Sequence, residues 1–175
     1  MGLYKVESIN IKSFNLGEAD KIITLYSKEQ GKIRAVAKGS RRIKSRFGGR
    51  LELFVQNQLL LAEGKQLDQI SQAETINSFY TLREKMETLT TGSYFVWLID
   101  KATEEKHPNV KLYELLLDSL ISLQQAKNIA DIRKNFQRRF LEIEGIMPNI
   151  GPDLKENVFQ EHFGDYASIK NFISG

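Results

Sequence analysis

Apolar and polar residues alternate along most of the first eighty positions. "YKVESINIK", residues 4–12, alternates, and "DKIITLYS", residues 20–27, is rich in β-branched and aromatic side chains. In "KIRAVAK", Ile33, Ala35 and Ala37 fall on one face and Arg34, Val36 and Lys38 on the other. A period of two is the mark of a strand with one buried face. The "KEQGK" between the second and third segments reads as a hairpin turn, with Gly31 free to take a positive φ. "LELFVQNQLLLAEG", residues 51–64, predicts one longer strand, and "QLDQISQAETI" its return. Five short strands with tight turns predict a small closed or nearly closed barrel.

From about Thr81 the period lengthens, and helices are predicted over 82–106, 110–125 and 129–146. In the third, Ile129, Ile132, Phe136, Phe140, Ile143 and Met147 recur at steps of three and four, forming one apolar stripe. Asn128 is placed to cap it, with Asp131 as the reciprocal partner. His107-Pro108-Asn109 separates the first two helices, and Gly145 and Pro148 stop the third. The residues after Pro148 are slightly acidic and predict one or two short helices at most. The expected division is a barrel over 1–80 and an all-α unit over 81–175, an α+β chain.

Composition removes several function classes. The 175 residues are 41% hydrophobic and 27% charged, which is ordinary for a globular chain. With no cysteine there are no disulfides or thiolate metal sites, and a reducing cytoplasm is the expected setting. Residues 1–12 lack the apolar core of a secretory leader. The longest strongly apolar run, "YFVWLI", is far short of the roughly 20 residues a membrane helix needs. The two histidines, His107 and His162, lie in different regions, so no metal cluster is expected. No phosphate-binding loop and no nucleophile elbow occur. Neither an enzyme nor a cofactor is expected.

Charge changes the picture more. Residues 1–60 carry twelve Lys/Arg against five Asp/Glu, whereas the remainder carries thirteen against seventeen. Between Glu29 and Glu52 stand eight cations and no acid, six of them within residues 38–50. Like charge at that density favours an external anion. Gly39, Gly48 and Gly49 let backbone approach a bulky ligand, and arginine, which forks onto phosphate, outnumbers lysine four to two. Phe47 stands among the cations, either as a stacking platform or as a plug seating the loop on the barrel; Tyr26 and Phe54 read as core. A barrel with a cationic groove and aromatics suits single-stranded nucleic acid, so residues 1–80 read as an oligonucleotide/oligosaccharide-binding (OB) barrel holding DNA by its backbone. The competing reading is a helical protein-binding adaptor whose basic loop only tunes solubility.

The stretch "GEADKIITLYSKEQGKIRAVAKGSRRIKSRFGGRLELF" resembles the N-terminal signature of RecO, the bacterial recombination mediator family. "QAETINSFYTLREKMETLTTGSYFVWLID" and "FQRRFLEIEGIMPNI" resemble its helical region, in the same order. The resemblance implies a DNA repair mediator that binds single- and double-stranded DNA and anneals complementary strands. It further implies partnership with the acidic C-terminal tail of single-strand DNA-binding protein, and RecA loading with RecR at the bacterial nucleoid. Arg34, Lys38, Arg41 and Arg42 match the family's basic stretch, and Lys44, Arg46, Phe47 and Arg50 lie in its looser continuation; these are the expected DNA-binding residues. For the partner tail, Arg133, Lys134, Arg138 and Arg139 around Phe136 and Phe140 are the candidates. Many family members carry four cysteines after this region and run well past this length; here there is no cysteine, so no zinc module is expected.

Overall fold

The computed structural model describes residues 2–125 and 128–145. Five strands, β1 (Leu3–Leu16), β2 (Asp20–Ser27), β3 (Gly31–Ala37), β4 (Gln56–Ala62) and β5 (Asp68–Asn77), close into a barrel in the order β1-β2-β3-β5-β4. Closure follows from the length of β1, fourteen residues, which pairs antiparallel with β4 through its first half and β2 through its second. A bulge at Asn10/Lys12 bends the strand between its two partners. The seam is narrow: β3 meets β5 in parallel only at Ala35–Asp68 and Val36–Gln69. Buried Asp68, at the start of β5, is held in place by accepting hydrogen bonds from the Tyr4 hydroxyl on β1 and from Gly64 N at 3.0 Å in the β4–β5 turn.

The alternation read from sequence holds in space. Val6, Ile23, Leu25, Ile33, Ala35, Ala37, Leu59, Leu61 and Ile70 fill the barrel interior. Gly31, at φ +72°, makes the β2–β3 turn, and a Cβ there would sit 2.4 Å from the His107 carbonyl oxygen, so the turn is pressed against the helical unit.

Among the described residues four helices follow: α1 (Tyr80–Glu84), α2 (Met86–Ala102), α3 (Val110–Gln125) and α4 (Ile129–Ile143). The single helix expected over 82–106 is broken at Lys85, which is extended at φ −117° and ψ 133°. The Thr88 hydroxyl closes the break by donating to the carbonyls of Leu82 (2.9 Å) and Lys85 (3.2 Å). α2 is buried continuously from Thr91 to Ile99, which is why "YFVWLI" is apolar on every side: it is the central helix. α4 is capped as expected, Asp131 N donating to Asn128 Oδ1 at 3.2 Å, and ends at Gly145, φ +70°. Met147 and Pro148 lie outside the described residues.

The strand expected over 51–64 is only half a strand. Residues Gly48–Leu51 form a 3₁₀ turn, Phe54 takes φ 74°, and extended pairing begins at Gln56. The reason is where the backbone acceptors go. Asn10 Nδ2 donates to the carbonyls of Arg50 (2.8 Å) and Glu52 (2.9 Å), Asn57 Nδ2 also reaches Arg50 O at 2.8 Å, and Arg83 Nη1 takes Leu53 O at 2.7 Å. Side chains satisfy these carbonyls, and the neighbouring strand β1 reaches the segment by backbone only at Asn10, which accepts from Phe54 N at 3.0 Å and donates to Val55 O at 3.1 Å. Leu51 then drops into the barrel interior, while Phe54 turns into the helical core against Gly92, where a Cβ would lie 2.7 Å from its ring. Ile9, Ile11 and Tyr26, on the barrel's outer face, join the same helical core. Burial pushes the Tyr26 phenol up to about 12.

Candidate nucleic-acid interface

Helices cover one end of the outer β1–β2–β3 face; at the other end Arg34 is exposed, Lys12, Phe14 and Val36 are half-buried, and Thr24 and Ile22 are buried. Cross-strand register builds two rows there: Lys12, Thr24 and Arg34, then Phe14, Ile22 and Val36. Phe14 is half-buried, and it lines an open cleft of about 480 Å³ with Lys12, Thr24, Lys32, Arg34, Asp100, Glu104 and Glu105. The cleft holds three cations and three carboxylates, and the partly exposed Phe14 ring is the aromatic surface in it on which a base can stack. Sequence reading misses Phe14 because the bulge at Asn10/Lys12 shifts the apolar phase: the alternation of Ile9 and Ile11 points to Ser13, while Phe14 takes that face.

The basic loop is a folded segment beside this face. Gly39, φ +69°, donates its N–H to Asp20 Oδ1 at 2.8 Å, and Arg41 N donates to Ala19 O at 2.9 Å. Arg41 Nη1 reaches Gly17 O at 2.7 Å, so the β1–β2 turn and the loop are tied together. Turn bonds from Arg42 N to Gly39 O (3.1 Å) and Ser45 N to Arg42 O (3.0 Å) shape the tip. Lys38, Arg41, Arg42, Lys44, Arg46 and Arg50 are all exposed. Arg46 and Arg50 spend donors on the carbonyls of Ile70 and Phe47. Among the described residues, none of the six lies in ion-pair range of a carboxylate.

Three expectations are corrected. Phe47 is 2% exposed and packs with Leu51 in the barrel interior, so its ring is the plug and has no open face for a base; Arg46 covers it with its guanidinium 4.8 Å from the ring centroid. The cations of β3 are not uncompensated: Lys32 Nζ bonds Asp100 Oδ1 (3.2 Å) and the carbonyls of Asp100 and Thr103, capping the C-terminal end of α2, and Arg34 faces Glu105 at 3.8 Å. Arg34 stays exposed; Lys32 is structural. On α4, Phe136 and Phe140 are both 0% exposed, Phe136 stacking on Phe95 at 4.1 Å, so the stripe expected to receive a partner tail is helical core. Around it, Arg138 pairs with Glu142 at 3.0 Å and Arg139 with Asp118 at 3.3 Å; Arg133 is half-buried and Lys134 exposed.

No group of three or more His, Asp or Glu that could hold a metal occurs among the described residues, and no helix described is long and apolar enough to cross a membrane.

A closed five-stranded barrel in this strand order, with a cationic loop at its side and a helical unit behind it, is an OB-fold module. Comparison with known proteins narrows this. Residues 1–79 match the family model described as "Recombination protein O N terminal" and residues 83–154 the one described as "Recombination protein O C terminal". Similar chains include the DNA repair protein RecO of Trichodesmium erythraeum, 39% identical over 157 residues, covering 85% of this chain and 54% of that one. That of Bifidobacterium adolescentis is 41% identical over 153 residues, covering 86% and 62%, and that of Acaryochloris marina 43% identical over 123, covering 70% and 42%. The chain belongs to the RecO family of DNA repair proteins. It spans about half the length of these curated relatives.

Proposed function

We propose that this chain is a recombination mediator that binds single- and double-stranded DNA through the backbone, with little regard to sequence, and brings complementary strands together. The observation that carries this is the run of six exposed cations with no carboxylate partner among the described residues, folded beside a strand face on which Phe14 lines an open cleft. Such a surface screens the repulsion between two phosphate backbones and concentrates both strands, which is what annealing requires. Lys38, Arg41, Arg42 and Lys44 supply the main phosphate contacts, with Arg34, Arg46 and Arg50 at the margins and Phe14 as the stacking surface. The role is one of binding and assembly, without a catalytic step. Family membership supports two partners, the acidic tail of single-strand DNA-binding protein and RecR, with RecA loading at the nucleoid as the outcome.

Salt-dependent affinity for a labelled oligonucleotide, read by fluorescence anisotropy, tests the reading. Neutralising about five phosphates on a single strand gives a log–log salt slope near −3.5. A slope near zero, or no binding, leaves the protein-binding adaptor as the better account.

A further inference from the structure

The tip of the basic loop carries an aliphatic side chain that the phosphate-binding reading does not use. Ile43 has a relative exposure of 105%, the highest among the exposed large hydrophobic residues. Isolated exposed aliphatics are common. This one differs in its setting. It lies at the crest of a turn closed by the Arg42 N–Gly39 O and Ser45 N–Arg42 O bonds, on a loop pinned to the β1–β2 turn through Arg41. Its sequence neighbours Arg42 and Lys44 are exposed cations. Isoleucine is β-branched and stiff, so holding it in one pose sacrifices little freedom.

We propose that Ile43 is a nucleobase wedge: with the flanking cations on phosphates, its side chain enters between adjacent bases of the bound strand. This rests on the DNA-binding reading and adds a contact to bases that phosphate binding alone does not predict. A polyanion held by Arg42 and Lys44 brings its own apolar surface, the base faces, to the one apolar group between them. Aliphatic wedges flanked by cations unstack base steps in this way. An unstacked base is also exposed for pairing with a second strand, which fits the annealing role.

The test uses the full chain and a single-stranded oligonucleotide carrying one 2-aminopurine, whose emission rises when it is unstacked. Binding is followed in parallel by anisotropy of a terminal dye. The unaltered chain raises the 2-aminopurine signal severalfold. Ile43→Ser removes most of that rise, keeps the salt slope, and weakens binding by about tenfold or less, the scale of one partly buried aliphatic group. Because the chain's one tryptophan, Trp97, is only 3% exposed, Ile43→Trp gives a separate reading: its new emission is quenched when DNA binds. An equal 2-aminopurine rise in Ile43→Ser, or an unquenched Ile43→Trp, overturns the wedge while leaving DNA binding intact. Absence of anisotropy change in the unaltered chain overturns both. Anionic phosphatidylserine vesicles provide the remaining arm: binding to them that depends on Ile43, with base stacking undisturbed, assigns the tip to a lipid surface and overturns the proposal.

Discussion

Two segments of this chain look alike as strings of residues: the loop around "KGSRRIKSR" and helix α4 with "RKNFQRRF". Both mix cations with apolar side chains. In the helix, Phe136 and Phe140 are enclosed, while Arg138 and Arg139 have carboxylates at 3.0 and 3.3 Å. In the loop, Arg41, Arg46 and Arg50 reach main-chain carbonyls, Arg46 also covers the Phe47 ring, no carboxylate among the described residues lies in ion-pair range of the six cations, and Ile43 is bare. A charge run therefore says little until its counter-charges are located. The same lesson divides the basic segment internally: Lys32 belongs to the fold and Arg42 to the surface, although they are ten positions apart.

The comparison breaks most directly by reversing charge on each side of it. Arg41→Glu with Arg42→Glu is expected to weaken oligonucleotide binding about 100-fold at low salt, alike for all sequences, and to flatten the salt slope from about −3.5 toward about −2. Arg138→Glu with Arg139→Glu is expected to change affinity by less than about threefold. Anisotropy titrations on both pairs decide it; equal losses would mean that the loop has no special standing.

Lys32→Met sharpens the line between structural and surface cations. It strips the α2 terminus of its cap and leaves Asp100 facing an apolar side chain, with Lys32 and Asp100 only 13% and 20% exposed. A loss of about 2 kcal/mol is expected, lowering the melting temperature by about 4–8 °C. The salt slope should stay as it was, because Lys32 holds no phosphate. Glu105→Gln works in the opposite sense: it releases Arg34 from its 3.8 Å partner, and affinity should rise about twofold. The smallest effect is reserved for stability on α4. Arg138→Ala and Arg139→Ala remove exposed pairs, and each should shift unfolding by less than about 0.5 kcal/mol in chemical denaturation.

Local periodicity carried much of the fold. Residues 20–27 and 110–125 were delimited from sequence as β2 and α3 appear, and Asn128 read correctly as a cap, because strand alternation, helical spacing and capping are decided by near neighbours. Residues 51–55 misled because the groups that hold them, Asn10 on Glu52 O and Arg83 on Leu53 O, lie 42 and 30 positions away and give no local sign of doing so. The break at Lys85 was hidden by apolar residues on both sides. At the interface, the richness in cations was legible but their pairing was not: the acid that neutralises Lys32 lies 68 positions downstream. Phe47, Phe136 and Phe140 show the matching limit for apolar groups, since composition does not tell a covered ring from an open one. Phe14 is hidden by the bulge at Asn10/Lys12, which breaks the alternation of Ile9 and Ile11 before it arrives.

The segment from Phe47 to Phe54 anchors successively in two different interiors, Phe47 and Leu51 in the barrel and Phe54 among the helices. The cationic loop thus springs from a mooring shared by both halves of the molecule. Tension applied to the loop is transmitted to both at once, and loosening either half slackens the loop's footing. Anything that docks on the helices and shifts α2 near Gly92 has a mechanical route to the cationic loop without touching it.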